Sequence, residues 1–311
     1  ALPICHRPGD PHEPLAPNFA IRPSGTPRDR LVVLFNGTGA TPAALSKMAG
    51  KLASDGYHVI GLRYESGTGT QSACPDSRRL TDPECHRKFR GEVVFGAGVP
   101  DPDGVAVDHP SVNVSRANSV MNRLVKLLGH LDERSPSAGW RSFQRQNAGV
   151  CLRWADQYGG CDVRWDKMVL MGHSQGAGVG LYLSKFHPVA RVGLLSGPYD
   201  AFYDSNGGFT VAPWITDGDF VVPPSRIVSF VHRNDYGVSL QRAIATALKL
   251  AGPETDVTTS ARPYGGSERL TTKVTPACPL DSNGAHSATA TDLCSPSNVH
   301  VDAWRYIAGG S

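Results

Sequence analysis

The segment Gly172-His173-Ser174-Gln175-Gly176 is where residue type and spacing first point to chemistry. The apolar run Met168-Val169-Leu170-Met171 leads into it, and the small residues Ala177, Gly178 and Gly180 follow. A serine in that setting lies on a sharp strand-to-helix turn, with its hydroxyl clear of the sheet. The flanking glycines remove side chains where strand and helix pack closely. The helix N-terminus brings partial positive charge towards an oxyanion forming at the serine. The implied chemistry is nucleophilic acyl transfer. A serine hydroxyl is a poor nucleophile at neutral pH, so it needs a base in reach and an acid to orient that base. His173 is adjacent in sequence, and the strained turn directs it away from Ser174, so the base is sought elsewhere.

Positioning such a serine requires a rigid sheet. Leu31-Val32-Val33-Leu34-Phe35 is a continuous apolar run bounded by turn residues, as for a strand buried on both faces. Pro42 opens a helix with Leu45, Met48 and Leu52 at helical spacing, and residues 57–62 form the next strand. Val120, Leu124, Leu127, Leu128 and Leu131 share one helical stripe, and a second helical stretch carries Phe143, Val150 and Trp154. Strands follow at 168–171, 191–195 and 227–231, with helices reaching to about Lys185 and from Leu240 to Leu250. This alternation predicts an α/β fold, with a mostly parallel central sheet covered by helices on both faces and decorated by loop insertions. Residues 1–29 are Pro-rich and read as a surface arm. Residues 30–311 read as a single domain with insertions at about 65–112 and 199–222.

With its strand and helix, G-H-S-Q-G resembles the nucleophile segment of the α/β-hydrolase family, and the element order from about residue 30 to 310 is compatible with that fold. The resemblance is to secreted bacterial serine hydrolases of the esterase kind, with no subfamily assigned. It implies the chain order nucleophile, acid, histidine, which places both partners after Ser174. Asp235, in the turn after the 227–231 strand, is then the acid, with Asp200 second and Asp204 third. His300, before a short C-terminal helical stretch, is the implied base. His286, between Cys278 and Cys294, competes with it. Oxyanion donors are implied at the backbone of Gln175 and of Thr38, with Gly39 as the alternative to Thr38. The loop Asn36-Gly37-Thr38-Gly39 resembles the family's H-G-x-G segment, with Asn36 in place of the histidine. Asn36-Gly37-Thr38 is also an N-glycosylation sequon, expected unmodified because a glycan there would obstruct the site.

Tyr199, Phe202, Tyr203, Phe209, Trp214 and Phe220 crowd one segment. They read either as the wall or lid of an apolar acyl pocket or as a loop packed into its own core. Tyr199, Phe202 and Trp214 are the substrate-binding candidates. The cysteines fall into local couples, 74 with 85, 151 with 161 and 278 with 294, leaving Cys5 over. Such couples read as loop-bridging disulfides of a secreted or periplasmic protein. The start at Ala1-Leu2-Pro3 fits a mature chain whose leader has been removed.

A net charge of +3 is too small to argue for nucleic acid, and no apolar run reaches the ~18–20 residues that stable membrane insertion needs. No phosphate or dinucleotide motif is complete, so no cofactor is expected. No metal is expected either. His6, Asp10 and His12 belong to the arm, and Asp101-Pro102-Asp103-Gly104 lacks the closing Glu of a calcium loop and reads as a solvated turn. The expected protein is a serine hydrolase that cleaves an ester of a small-molecule or polymeric substrate through Ser174, His300 and Asp235. A peptidase or amidase of the same fold ranks second and an acyltransferase third. A non-catalytic binding relative is the alternative of another class, disfavoured because a Ser, an Asp and a His all stand in workable order. The sequence assigns no oligomeric state.

Overall fold

The computed structural model describes residues 17–147, 150–151, 158, 160–204, 206–279 and 282–310. Its strands are β1 (Phe19–Ile21), β2 (Leu31–Phe35), β3 (His58–Gly61), β4 (Gln146–Asn147), β5 (Val150–Cys151), β6 (Met168–His173), β7 (Arg191–Leu195), β8 (Ala201–Tyr203), β9 (Phe209–Val211), β10 (Ile227–His232), β11 (Thr255–Asp256) and β12 (Arg269–Thr272). The α-helices are α1 (Ser46–Ser54), α2 (Thr70–Ala73), α3 (Cys85–Phe95), α4 (Val120–Arg134), α5 (Gln175–Phe186), α6 (Pro213–Thr216), α7 (Val238–Ala247), α8 (Ser282–Ser287) and α9 (Ser297–Ile307).

Eight strands form one sheet in the order β1-β3-β2-β6-β7-β10-β12-β11. Every pairing is parallel except that of β1 with β3, at the edge. Side chains alternate across a strand, and β2 shows how the chain covers both faces. Leu31, Val33 and Phe35 join a core built with Phe89, Val93, Leu124, Leu128 and Leu181. Val32 and Leu34 join a second core with Met48, Leu52, Trp304 and Ile307. Helices α3, α4 and α5 thus close one face, and α1 and α9 the other. Burying each large aliphatic side chain contributes about 1.5–3 kcal/mol. In a parallel sheet the loops after the strand C-termini gather along one edge, where ligands of such folds bind. Asn36–Gly39 after β2, Ser174 after β6, the loop from Ser196 after β7 and Asp235 after β10 all lie on that edge.

Some local expectations give way to tertiary context. Part of the predicted arm, Phe19–Ile21, adds the antiparallel edge strand, pairing with Val59, Ile60 and Gly61 of β3. The predicted 65–112 insertion is partly helical. Its α3 buries Phe89, Val93 and Val94 against the sheet-covering helices, a stripe masked in sequence by interleaved Arg, Lys and Glu. The helix expected through Phe143 and Val150 is instead a 3₁₀ turn at Trp140–Phe143 followed by the β4–β5 hairpin, and Trp154 lies outside the described residues. The turn 101–104 exposes Pro102, Asp103 and Gly104 as expected, but Asp101 itself faces inward. Its carboxylate is buried and accepts from Arg87 Nε at 2.8 Å and from the Tyr182 hydroxyl at 2.9 Å.

Candidate functional site

Ser174 joins β6 to α5 with φ 56° and ψ −117°. A non-glycine residue held there stores about 1–3 kcal/mol of backbone strain. The surroundings leave no alternative. A Cβ on Gly172 would lie 2.1 Å from the Gly176 carbonyl, and one on Gly176 would lie 2.3 Å from the Phe35 carbonyl oxygen. The Ser174 N–H donates to Leu195 O of the neighbouring strand at 2.8 Å, which fixes the turn to the sheet.

The loop after β2 closes on this turn. A Cβ on Gly37 would come within 2.8 Å of His173 Nδ1 and 3.2 Å of Ser174 Cβ, so only glycine lets the loop approach. Asn36 clips the loop from beneath, donating through Nδ2 to Ala40 O at 2.8 Å and to Ser66 Oγ at 3.0 Å. Its side chain is fully buried, which leaves no access for a glycan. The Thr38 hydroxyl donates to Gln175 Oε1 at 2.7 Å and ties together the two segments that carry the expected oxyanion donors. The Gly39 N–H is already committed to Ser66 O at 2.7 Å. Of the two loop candidates, that leaves Thr38. The Gln175 N–H belongs to the first turn of α5, where N–H groups have no intrahelical acceptor.

Asp235 and His286 are brought together: Nδ1 of His286 lies 2.9 Å from Asp235 Oδ2. The carboxylate is buried and accepts three further hydrogen bonds. Tyr199 OH at 3.0 Å and the Gly237 N–H at 2.9 Å reach Oδ1, and Gln241 Nε2 at 2.9 Å reaches Oδ2. Burial pushes its pKa up, but the hydrogen bond and charge of His286 with the Gln241 and Gly237 donors outweigh that and hold it below the usual carboxylate value. The His286 ring is flanked by Tyr236, with centroids 5.0 Å apart, and by His173 at 4.9 Å. His173 also bonds through Nε2 to the His286 carbonyl at 3.1 Å. Burial, reinforced by the nearby His286, lowers the His173 pKa to about 3, so it stands neutral beside the pair. His173 therefore couples the residue next to Ser174 directly to His286. Among the described residues no hydrogen bond joins Ser174 Oγ to the imidazole. Such contacts are often long without substrate and tighten around it.

His300 is not in this cluster. It lies inside α9, fully buried, with Nδ1 3.0 Å from Ala288 O and Nε2 3.1 Å from Thr272 Oγ1. Both of its ring nitrogens are committed there, and Asp235 is bonded to His286, so the structure does not bring the expected base His300 to the acid. The sequence signal for His286 was its place between Cys278 and Cys294, which form a disulfide spanning 16 residues. Asp200, the second acid candidate, is paired with Arg90 through Nε at 2.9 Å and Nη2 at 2.6 Å, and takes the Trp214 indole N–H at 3.1 Å. Asp204 accepts from the backbone of Asn206 and Gly208, a turn role.

The substrate-binding expectation shifts as well. Phe202 and Trp214 are fully buried, Phe202 packed on His86 and Trp214 on Tyr182, so the segment fills its own core. Tyr199 is buried too, with its hydroxyl on the Asp235–His286 pair. Tyr236, whose ring lies beside His286, is 51% exposed.

For a metal, Cys74, Cys85 and His109 present ligand-type atoms within 4.8 Å of one another, but the two cysteines are joined as a disulfide and offer no thiolate. His6, Asp10, His12 and Cys5 lie outside the described residues, as does the Cys151 side chain on which the 151–161 pairing depends. Among the described residues, no helix is long and apolar enough to cross a membrane.

No protein-family model matches the chain, and no curated protein does. Among solved structures the chain is similar to the esterase domain of a Rhodothermus marinus protein, at 13% identity and TM-score 0.36 over 93% of this chain and 89% of that one. It is also similar to a carboxylesterase from Mesorhizobium loti, at 12% identity and TM-score 0.30 over 80% and 81% of the two chains. A third is a Bacillus cereus carboxylesterase, at 14% identity and TM-score 0.31 over 75% and 80%. Within the chain itself, the parallel sheet order, the antiparallel edge strand and the strained serine between β6 and α5 are the arrangement of the α/β-hydrolase fold.

Proposed function

We propose that this chain is a serine hydrolase that cleaves an ester bond in a small-molecule or polymeric substrate, with Ser174 as nucleophile, His286 as base and Asp235 as the orienting acid. The observation that carries the reading is the buried Asp235–His286 hydrogen bond of 2.9 Å, coupled through His173 to the strained turn that presents Ser174.

In the proposed reaction Ser174 Oγ attacks the ester carbonyl carbon as its proton passes to His286 Nε2. The resulting oxyanion accepts from the backbone N–H groups of Gln175 and Thr38. Asp235 stabilises the imidazolium through Nδ1 without taking its proton. Collapse expels the alcohol, protonated by His286, and leaves an acyl-enzyme. Water, deprotonated by His286, then attacks the acyl carbon. The acid departs and Ser174 recovers its proton. The Cys74–Cys85 and Cys278–Cys294 disulfides support placing the protein in an oxidising compartment outside the cytoplasm.

The test is labelling with a fluorophosphonate, read by intact mass and peptide mapping, together with hydrolysis of matched ester and amide substrates. The expected result is one adduct on Ser174, none in Ser174→Ala, and faster cleavage of the ester. A folded protein that takes no label points instead to a binding protein. A preference for the amide points to a peptidase.

A further inference from the structure

The hydroxyl of Tyr199 lies 3.0 Å from Asp235 Oδ1, 3.0 Å from His286 Nδ1 and 2.9 Å from Gln241 Nε2. Proton bookkeeping fixes the direction of each bond. The Gln241 amide nitrogen has two hydrogens and no lone pair to offer, and it points them at Tyr199 Oη and Asp235 Oδ2. The single Tyr199 proton therefore goes to Asp235 Oδ1, since an ionised carboxylate only accepts. The remaining Tyr199 lone pair faces His286 Nδ1. That nitrogen now has two acceptors, Asp235 Oδ2 and Tyr199 Oη, and no donor, so its proton stays in place and the free lone pair belongs to Nε2.

Resting on the reading of Asp235 and His286 as acid and base, we infer that Tyr199 is a positioning residue of the reaction, which locks the Nδ1–H form of His286 and draws charge from Asp235. The second effect sets the basicity of the imidazole. A carboxylate whose lone pairs are engaged by Tyr199, Gln241 and Gly237 attracts a neighbouring imidazolium less strongly than a bare one. The groups facing His286 are Asp235, Tyr199, Tyr236 and His173. Burial and the neighbouring Asp235 charge raise the Tyr199 pKa far above its ordinary value, and burial lowers that of His173 to about 3, so neither titrates near neutrality.

The experiment is an NMR titration of labelled His286 imidazole in the full chain, compared between the wild type and Tyr199→Phe, with kcat/KM profiles on a p-nitrophenyl ester alongside. Phenylalanine keeps the buried ring and removes only the hydroxyl. The His286 midpoint should rise by on the order of one pH unit, the energetic scale of one hydrogen bond to a charged group. The acidic limb of kcat/KM should move up with it, with kcat lowered at neutral pH and KM unchanged. Gln241→Met, which removes the donors and leaves the tyrosine, should shift the midpoint in the same direction and serves if Tyr199→Phe does not fold. An unmoved midpoint in either folded variant overturns the inference. A wild type that neither takes a fluorophosphonate nor hydrolyses esters overturns the catalytic reading instead, while the NMR midpoint still reports whether Tyr199 tunes His286.

Discussion

Asp200 and Asp235 are alike in almost every respect except the partner. Each is buried, each lies beyond the C-terminal end of a parallel strand, and each is held below the usual carboxylate pKa against the upward push of burial. Asp200 faces the guanidinium of Arg90, which stays charged at every working pH. Asp235 faces an imidazole, which can be neutral or charged. A permanent charge opposite makes a strut. Arg90 also reaches Gln175 O at 2.8 Å and Thr70 Oγ1 at 3.0 Å, so the strut braces the start of α5 against α2 and α3. A titratable group opposite leaves a proton that can move. The same carboxylate chemistry thus braces the fold in one place and, in the proposed reaction, orients a base in the other.

The largest effects should separate the two sites cleanly. Asp235→Asn should lower kcat/KM by roughly 10⁴-fold in the folded protein, as loss of the orienting acid does. Asp200→Asn strands a buried arginine and should cost about 3–5 kcal/mol in urea unfolding, with the activity of the folded fraction retained. If Asp200→Asn unfolds like the wild type, or loses activity as Asp235→Asn does, the distinction between strut and relay collapses.

Two histidines in the C-terminal segment repeat the contrast. His300→Ala removes the group that holds Ala288 O and Thr272 Oγ1 and should cost about 1–3 kcal/mol, with ester turnover persisting in the folded protein. Its pH signature has a definite sign. Burial lowers the His300 pKa to about 4 from 6.5, so between those values the unfolded chain binds the extra proton. Stability is therefore full above about pH 6.5 and falls as pH drops towards 4, by up to about 3 kcal/mol for this one group. Asp200 acts lower on the scale. Its folded pKa lies below the unfolded one, so its contribution persists above the unfolded value and vanishes as pH falls through the folded value. Denaturant midpoints between pH 7 and 5 should thus decline in the wild type and decline less in His300→Ala. Parallel declines would remove His300 from the account.

What the sequence disclosed follows the range of the forces involved. The turn at Ser174 was legible because its glycines and apolar strand are local requirements of one sharp bend. The position of Asp235 beyond a strand end was legible because the apolar run at 227–231 marks that strand, while its proposed role came from the family resemblance. Choosing between His286 and His300 depended on tertiary links after β12, among them Cys278–Cys294 and Trp304 Nε1 donating to Thr289 O at 2.8 Å. No periodicity encodes such links. The aromatic segment 199–220 admits two readings because rings that wall a pocket and rings that fill a core look alike in sequence. Trp214 and Phe202 pack on α5 and α3, and Tyr199 reaches the Asp235–His286 pair.

The smallest expected effect gives the finest comparison, because it makes the same kind of edit at both sites. Thr70→Val keeps the buried shape and removes one acceptor from the Arg90 guanidinium, as Tyr199→Phe removes one donor from the Asp235 carboxylate. On the Asp200 side nothing titrates near neutrality, so the loss can register only as stability, about 1.5 kcal/mol, or a melting temperature lower by about 3 °C. The pH profile of ester hydrolysis should be untouched. On the Asp235 side a comparable loss can be absorbed by the proton on His286 and should register in its titration. A Thr70→Val protein whose kcat/KM profile moves along the pH axis would show that Arg90, through the Gln175 carbonyl, reaches into the acid–base pair, and that the two buried carboxylates work as one network.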